Sequence, residues 1–413
     1  MEAGVVAAWP RVDDQDREFV LASLNDSSHP FTHSFGPNCV ALQQEFAEWN
    51  GSRFALATNS GTAAIHMAIS ACGCRPGDEV IVPAYSWSSS ATAVLHHNAI
   101  PVFVDIDFET MNLDVDQIEA AISERTRAIL VVHLHGLTVD MARVIELARR
   151  YDLKVIEDAC QAHGAEFDGY RAGTLGDCAA FSLNQNKTLS AGEGGIFTTD
   201  DEEIHQRAGR LWSFGETVQP GGEATRNFEA ATMGWMYRMP DLTAAFARSQ
   251  LRKLDASLEQ QRQNAKLLQL FLRDTPGLIL PTEGRKHKHA WYNFVIRLDA
   301  QAFGLEHEAS AFRDAFAQAL SAEGVPGLLV WQSFTLPEMS LFRERVGYGR
   351  GCPWSCNRSD VRYESSNFPV AKRHCDTHIA IGWPLRAPNG RRIVAQLADA
   401  VVKVASQAHR LLP

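Results

Sequence analysis

The chain has 413 residues, of which 45% are hydrophobic and 21% charged, and a formal net charge of −10 at pH 7. It is long enough for two core regions, and its composition is that of an ordinary globular protein. It contains no basic block and no run of about 18 apolar residues, so we expect neither a nucleic-acid partner nor a membrane span.

Eight cysteines in so long a chain do not indicate a disulfide framework, and the first residues lack a basic segment before a long apolar core. We therefore expect reduced thiols, no signal peptide and a cytoplasmic protein. A cluster of possible zinc ligands near the C-terminus comprises Cys352, Cys356, His374, Cys375 and His378. Because Cys-x3-Cys is not the Cys-x2-Cys spacing of most structural zinc sites, core thiols are favoured and no metal is predicted.

The N-terminal residues 1–35 are predicted to form an arm with a short helix at 14–23. Residues 36–250 alternate between strands and helices, which predicts a mostly parallel, layered sheet. Helices are predicted at 63–71, 115–122 and 141–151 among others. The predicted strands are residues 55–58, 79–83, 101–105, 128–134, 154–157, 178–183 and 195–199.

A long helix at about 242–270 is predicted to link this region to a smaller C-terminal domain. That domain begins with a strand at 291–298 and a helix at 308–323, and residues 345–368 have the composition of an irregular loop. We therefore divide the chain into an arm (1–35), a large domain (36–250), and a linking helix with a small C-terminal domain (251–413).

The first candidate site is the polar turn Ser60-Gly61-Thr62, which opens a predicted helix. Free backbone N–H groups at a helix N-terminus, with serine and threonine hydroxyls nearby, suit a phosphate group. A plain Ser or Thr helix cap has the same pattern. Further on, the strand at 79–83 runs into a loop with Trp87, which either stacks on a planar ring or fills the interior.

The second candidate site follows the predicted strand at 154–157, where Asp158 stands at the carboxyl end. Ligands of open α/β sheets gather at that edge, and a carboxylate there can keep a pyridine nitrogen protonated. An aspartate that caps the next helix is the alternative. His133 and His135 lie two residues apart at the end of another strand. We favour structural roles for both over a role in a ligand-binding cleft.

The most informative segment is Phe181–Gly195, in which an apolar run leads to a polar loop with Lys187 and then to a Gly-Glu-Gly-Gly turn. Glycines let the backbone pass close to a bound group. A lysine in such a loop can form a Schiff base with a carbonyl, as in enzymes that use pyridoxal 5'-phosphate (PLP). A surface lysine on a glycine turn remains the alternative.

The order of these motifs carries a family resemblance. The segments, in chain order, are Ser60–Thr62, Pro83–Trp87, Val102–Asp107, Glu157–Ala165 and Phe181–Gly195. Together they resemble the DegT/DnrJ/EryC1/StrS family of fold-type I PLP enzymes, from about Trp9 to near the C-terminus. The resemblance implies an α/β fold of type I, with a large, mixed, mostly parallel sheet sandwiched by helices and a smaller α/β C-terminal domain.

The resemblance also implies roles for individual residues. Lys187 matches the Schiff-base lysine and proton carrier, Asp158 the partner of the pyridine nitrogen, and Gln161 the neighbour of the phenolic oxygen. Trp87 matches the aromatic residue stacked on the cofactor ring. Gly61, Thr62 and Ser182 match the phosphate cradle. Candidate substrate residues are Phe35, Asn184 and Arg238.

The segment Gly234–Met239 departs from the family pattern. Relatives carry an asparagine where this chain has Met236, and that asparagine reaches the cofactor phosphate of the neighbouring subunit. Since methionine cannot donate a hydrogen bond, this contact is in doubt. The C-terminal third also matches weakly, so sugar-binding residues are not assigned there.

The resemblance implies an aminotransferase that works as a homodimer. An amino acid, L-glutamate or L-glutamine, leaves its amine on the cofactor as pyridoxamine 5'-phosphate, and a ketone on a sugar, cyclitol or similar ring then takes it. Two half-reactions at one site predict ping-pong kinetics. The alternatives are a dehydrating, aromatising synthase of the amino-hydroxybenzoate type and a non-catalytic PLP-binding regulator.

Overall fold

The computed structural model describes residues 6–26, 36–217, 229–304 and 308–411. Its strands, numbered in chain order, are β1 Phe54–Thr58, β2 Glu79–Pro83, β3 Ile100–Val104, β4 Thr126–Val132, β5 Lys154–Asp158, β6 Glu166–Phe167, β7 Tyr170–Arg171, β8 Cys178–Ser182, β9 Gly195–Thr199, β10 Leu278–Ile279, β11 His287–Lys288, β12 Phe294–Leu298, β13 Leu328–Leu329 and β14 His378–Ile381.

The α-helices are α1 Asp14–Asn25, α2 Pro37–Asn50, α3 Gly61–Ala71, α4 Ser89–His96, α5 Val115–Ala121, α6 Met141–Arg150, α7 Glu202–Trp212, α8 Asp241–Arg252, α9 Leu254–Leu272, α10 Ala309–Ala322, α11 Ser340–Arg343, α12 Pro369–Thr377 and α13 Arg391–Ser406. Several begin where a polar side chain accepts a hydrogen bond from the first turn, as the sequence pattern predicts. Asp13, Ser60, Asp140 and Asp201 are caps of this kind.

The central sheet has the strand order β1-β9-β8-β5-β4-β2-β3. The pairs β2–β3, β2–β4, β4–β5 and β5–β8 are parallel, whereas β9 runs antiparallel to both of its neighbours. The prediction of a mixed, mostly parallel sheet is therefore confirmed. Parallel strands carry their carboxyl ends to one edge, and the loops that follow them meet there.

Helices cover both faces of this sheet. Along β8, Ala180 packs into the core that contains α3, whereas Ala179 and Phe181 pack with α2 and α8 on the opposite face. Successive side chains of a strand point to opposite faces, so this alternation requires a helical layer on each side. The predicted sandwich is confirmed.

A second, four-stranded antiparallel sheet has the order β10-β12-β14-β13. Its core joins Phe294 and Ile379 of the sheet with Phe312 and Phe316 of α10 and with α13. A small third sheet, β11-β6-β7, joins the two regions. The division of the chain into an arm and two domains stays a prediction.

Two details differ from the sequence prediction. The long helix predicted at 242–270 is two helices, α8 and α9, which meet at Lys253. Cys352 and Cys356 form a disulfide with a Cα–Cα distance of 5.3 Å, so the expectation of reduced thiols is wrong for this pair. The other six cysteines are free.

In the described parts of the chain, no helix has the length and apolar character needed to cross a bilayer.

Candidate active site

A cavity of about 300 Å³ lies at the carboxyl edge of the central sheet. Its walls come from the N-terminus of α3, the loops after β2, β5 and β8, and two aromatic residues of the C-terminal third. Eight residues singled out from the sequence line it: Gly61, Thr62, Trp87, Asp158, Gln161, Ser182, Asn184 and Lys187. Segments more than 100 residues apart in sequence are thus brought into one chamber.

The wall formed by α3 has the character of an anion site. Ser60 caps the helix by accepting a hydrogen bond from the N–H of Ala63 over 3.1 Å. The N–H groups of Gly61 and Thr62 have no intrahelical acceptor and lie at the positive end of the helix dipole. A Cβ on Gly61 would lie 2.8 Å from the Cβ of Ser182, so only glycine lets these two segments approach so closely.

Asp158 ends β5 and is almost fully buried. Its carboxylate accepts a hydrogen bond from the Ser90 hydroxyl over 2.7 Å and one from the N–H of Cys160 over 3.2 Å. Ser86 lies 2.8 Å from the Ser90 oxygen and continues the network. These donors hold the side chain of Asp158 at the cavity wall, where a carboxylate can accept a hydrogen bond from a protonated ring nitrogen.

Gln161 is oriented by the backbone of His135. The His135 N–H donates to Gln161 Oε1 over 2.8 Å, so the amide nitrogen of Gln161 remains as the donor. His135 is buried and has a left-handed φ of 56°, which is uncommon outside glycine. His135 therefore orients Gln161 through its main chain. The side chain of His135 does not line the cavity.

His133 has a structural partner. It lies 2.8 Å from Glu157, and both side chains are fully buried. Burial alone would raise the pKa of Glu157, but the hydrogen bond with His133 and those from the amides of Gly176 and Gly173 lower it. The pair holds the ends of β4 and β5 together directly beneath the cavity.

Lys187 lies in the loop after β8. Its N–H donates to the Asn184 carbonyl over 2.8 Å, and its own carbonyl accepts from the Trp9 indole over 3.1 Å. The amine nitrogen lies 4.9 Å from the centre of the Tyr292 ring, inside the cavity. The side-chain amide of Asn184 donates to the carboxylate of Glu193 over 2.7 Å. This hydrogen bond links the two ends of the loop that contains Lys187.

Tyr292 and Trp331 also line the cavity, and the sequence did not indicate them. Trp331 is braced edge-on by Tyr85 and His135, with ring centres 5.5 and 5.3 Å away. Tyr292 and Trp331 come from the C-terminal third of the chain, where no motif marks them. Since a Trp or Tyr beside a strand is also typical of a hydrophobic core, their sequence positions did not indicate a site. Ser86 and Cys160 also line the cavity and were not predicted, although both lie inside the sequence motifs described above. Burial raises the pKa of the Cys160 thiol.

The remaining candidates lie elsewhere. Arg238 is buried away from the cavity, donates to the Ser213 hydroxyl over 2.9 Å and lies over the Phe214 ring. Met236 is half-exposed, and its carbonyl accepts from the Asn59 side chain. Phe35 lies outside the described residues.

The cysteine and histidine residues considered for zinc do not converge. Cys352 and Cys356 are bonded to each other, and His378 donates through Nδ1 to the His374 carbonyl over 2.8 Å. Its Nε2 therefore accepts from the Tyr85 hydroxyl over 3.1 Å. Within the described ranges, no three histidine, cysteine, aspartate or glutamate side chains form a metal-binding group.

This fold and cavity define a fold-type I PLP-dependent enzyme. The helix terminus fits the cofactor phosphate, and the buried, hydrogen-bonded carboxylate of Asp158 fits its ring nitrogen. The DegT/DnrJ/EryC1/StrS aminotransferase family model matches residues 13–375, so the chain belongs to this family of PLP-dependent aminotransferases.

Similar proteins include both sugar and aminocyclitol enzymes. A GDP-perosamine synthase of Caulobacter vibrioides is 37% identical over 326 residues, which cover 78% of this chain and 82% of the relative. An L-glutamine:2-deoxy-scyllo-inosose aminotransferase of Streptomyces lividus is 37% identical over 76% of this chain and 75% of the relative. The structure of DesV from S. venezuelae in complex with a ketimine intermediate superposes with a TM-score of 0.79 at 29% identity, covering 94% of each chain.

Proposed function

We propose that this aminotransferase moves an amino group from L-glutamate or L-glutamine to a ketone on a sugar or cyclitol ring. One observation carries the proposal: an amine, a buried carboxylate and an open helix terminus line the same 300 Å³ cavity. The named activities of the two relatives, a GDP-perosamine synthase and an inosose aminotransferase, support a polyhydroxylated ring as acceptor.

Lys187 is proposed to hold the cofactor and to carry the proton. When bound, PLP supplies an aldehyde carbon that bonds amines and a ring that accepts electrons. The Lys187 amine would remove the proton from the donor's α-carbon and would supply a proton to the acceptor carbon that receives the amino group. Its side chain is flexible, whereas the hydrogen bond from its N–H to the Asn184 carbonyl holds the backbone of the loop.

Asp158, Gln161 and Trp87 are proposed to set the electronic state and orientation of the ring. The Asp158 carboxylate keeps the ring nitrogen protonated, because an opposite charge in a buried site favours the charged form. The Gln161 amide donates to the ring's phenolic oxygen. Trp87 lines the cavity and is half-exposed, and its indole would stack on one face of the ring.

A homodimer with shared active sites is part of the proposal. Three large apolar side chains between residues 214 and 236 are exposed, namely Phe214, Met233 and Met236. Exposed apolar patches of this kind are typical of protein interfaces. Light scattering should give about twice the chain mass of 45.6 kDa, and a monomer at working concentration would contradict the dimer.

A cytoplasmic location is proposed from the six free cysteines.

The visible absorption spectrum of the purified, PLP-loaded protein tests the activity. We expect a yellow band that L-glutamate or L-glutamine bleaches and that Lys187→Ala lacks. A band that no amino acid bleaches would favour the dehydrating alternative. No band even in excess PLP would favour a protein without catalytic function.

A further inference from the structure

The backbone of Lys187 is held from outside its own loop. Its N–H donates within the loop, to the Asn184 carbonyl over 2.8 Å, whereas its carbonyl accepts from the indole N–H of Trp9 over 3.1 Å. Trp9 lies 178 residues earlier in the chain. The N-terminal segment thus reaches the lysine that is proposed to carry the proton.

This contact lies at the boundary between the exposed and the buried part of the loop. Gln185 and Asn186 are exposed, whereas residues 188–190 are buried, with Leu189 inside a hydrophobic core. Exposed loop segments open more readily than buried ones. The hydrogen bond from Trp9 therefore limits how far the exposed part of the loop can displace the main chain of Lys187.

Trp9 belongs to an N-terminal strap, residues 6–13, which precedes α1. The strap is fixed on both sides of Trp9. The N–H of Ala7 donates to Asn389 Oδ1 over 2.9 Å, and the Arg11 carbonyl accepts from Gln250 Nε2 over 3.0 Å. The indole N–H is therefore presented to Lys187 by an anchored backbone.

The face of the Trp9 ring has a partner as well. The guanidinium carbon of Arg386 lies 4.7 Å from the ring centre, a distance at which a cation and an aromatic ring attract each other. Nη1 of Arg386 also donates to the Lys187 carbonyl, over a long 3.5 Å. The indole is thus held on its face as well as at its N–H.

We propose that Trp9 is a positioning residue for Lys187. A displacement of about 1 Å in a catalytic group can cost on the order of 100-fold in rate, so a fixed main chain at this lysine favours proton transfer. Trp9 lies outside the lining of the cavity and acts through Lys187. The inference rests on the proposed function, in which Lys187 moves the proton.

Trp9→Phe tests this role, because it removes the indole N–H and keeps an aromatic ring beside Arg386. The limiting rate at which L-glutamine bleaches the visible band of the PLP-loaded enzyme should fall about fivefold to tenfold, the equivalent of one hydrogen bond. The L-glutamine concentration that gives half of this rate should not change, since Trp9 does not contact the donor. Stopped-flow absorbance measures both quantities.

Hydrogen exchange of the cofactor-free protein is a second readout that does not depend on activity. The amides of residues 184–191 should exchange about fivefold to tenfold faster in Trp9→Phe, because loss of one hydrogen bond favours local opening of the loop. Mass spectrometry of the peptide that contains these residues measures the change.

Trp49→Phe is the matched control. Trp49 is half-buried like Trp9, its indole N–H donates to Asp255 over 2.9 Å, and the guanidinium of Arg171 lies 4.5 Å from its ring centre. It lies outside the cavity lining and contacts a different part of the chain. This variant should leave the limiting rate and the exchange of residues 184–191 at wild-type values.

Three results would overturn the inference: a wild-type limiting rate in Trp9→Phe, a weaker apparent affinity for L-glutamine at an unchanged rate, or equal effects of Trp9→Phe and Trp49→Phe. If no amino acid bleaches the band of the wild type, the proposed function itself fails. Hydrogen exchange then still decides whether Trp9 holds the loop.

Gln250→Leu covers the case in which Trp9→Phe does not fold. It frees the Arg11 carbonyl and loosens the strap while Trp9 itself is kept. The rate and the exchange should change in the same directions by about twofold to threefold, because the strap opens locally more often. Wild-type values of both would show that the strap does not position Lys187.

Discussion

The carboxylate of Asp158 is the buried charge on which the proposed chemistry depends. The hydrogen bonds that it accepts from the Ser90 hydroxyl and the Cys160 N–H fix its position. Asp158→Asn removes the charge and keeps the shape. We expect the donor half-reaction, measured by stopped-flow absorbance, to slow on the order of 100-fold to 1,000-fold, as when preorganised electrostatic stabilisation is lost.

Ser90→Ala is the control for this variant, because it removes one donor to Asp158 but keeps the negative charge. Its effect should stay within about tenfold, which corresponds to one ordinary hydrogen bond. A wild-type rate in Asp158→Asn would show that the charge is not needed.

The buried pair of Glu157 and His133 makes stability depend on pH. The folded-state pKa of Glu157 lies below its ordinary value of 4.5. A lowered carboxyl pKa contributes stability above the unfolded value, and this contribution is lost as the pH falls through the folded value. Glu157→Gln should lower the free energy of unfolding by about 3–5 kcal/mol at pH 7, the usual cost of breaking a buried pair.

Urea unfolding at pH 7 and near pH 4 measures this effect. The difference between wild type and Glu157→Gln should shrink at the lower pH, because the wild type begins to lose its own contribution below the ordinary pKa of 4.5. A difference that is equal at both pH values would contradict the assigned direction of the pKa shift.

Sequence position explains which site residues could be predicted. Lys187, Asp158 and Gly61 stand in local patterns whose chemistry is readable from neighbours in the chain. Tyr292 reaches the cavity only through the packing of the second sheet against the first, and nothing near it in sequence signals this.

Secondary-structure elements, too, were predictable where a local sequence pattern determines them and not where distant contacts do. Apolar runs such as Val80–Val82 predicted the central strands to within a few residues, because strands buried on both faces need continuous apolar sequence. The break between α8 and α9 was not predictable from helix propensity. At that point Lys253 pairs through its amine with Asp16 over 2.6 Å and with Asp13 over 3.1 Å, more than 230 residues earlier.

This pairing predicts how the N-terminal helix is held. In Lys253→Met the buried carboxylate of Asp16 loses its cation, so α1 should open more often and limited proteolysis within residues 6–26 should accelerate about tenfold. Arg17→Ala is the control, because the pair of Arg17 with Asp14 is exposed and contributes little. Equal cleavage of Lys253→Met and wild type would mean that other contacts hold α1.

For the whole molecule, the proposed homodimer raises the question of whether a second chain contributes to each cavity. In relatives, an asparagine at the position of Met236 reaches the cofactor phosphate of the neighbouring subunit, and Met236 is half-exposed here. If the proposed dimer places Met236 in the same position, Met236→Asn restores a hydrogen-bond donor to the phosphate. The affinity for PLP, measured by absorbance titration of the apo-protein, should then rise about fivefold to tenfold, the equivalent of one hydrogen bond.

Met233→Asn provides the matched comparison, because Met233 is an exposed methionine of the same segment and lies three residues away. It should leave the PLP affinity unchanged. Dilution below the dimer dissociation constant should abolish the gain in Met236→Asn, since the donor belongs to the other subunit. A gain that persists in the monomer would place the donor in the same chain as the phosphate, and no gain at any concentration would mean that another group already satisfies the phosphate.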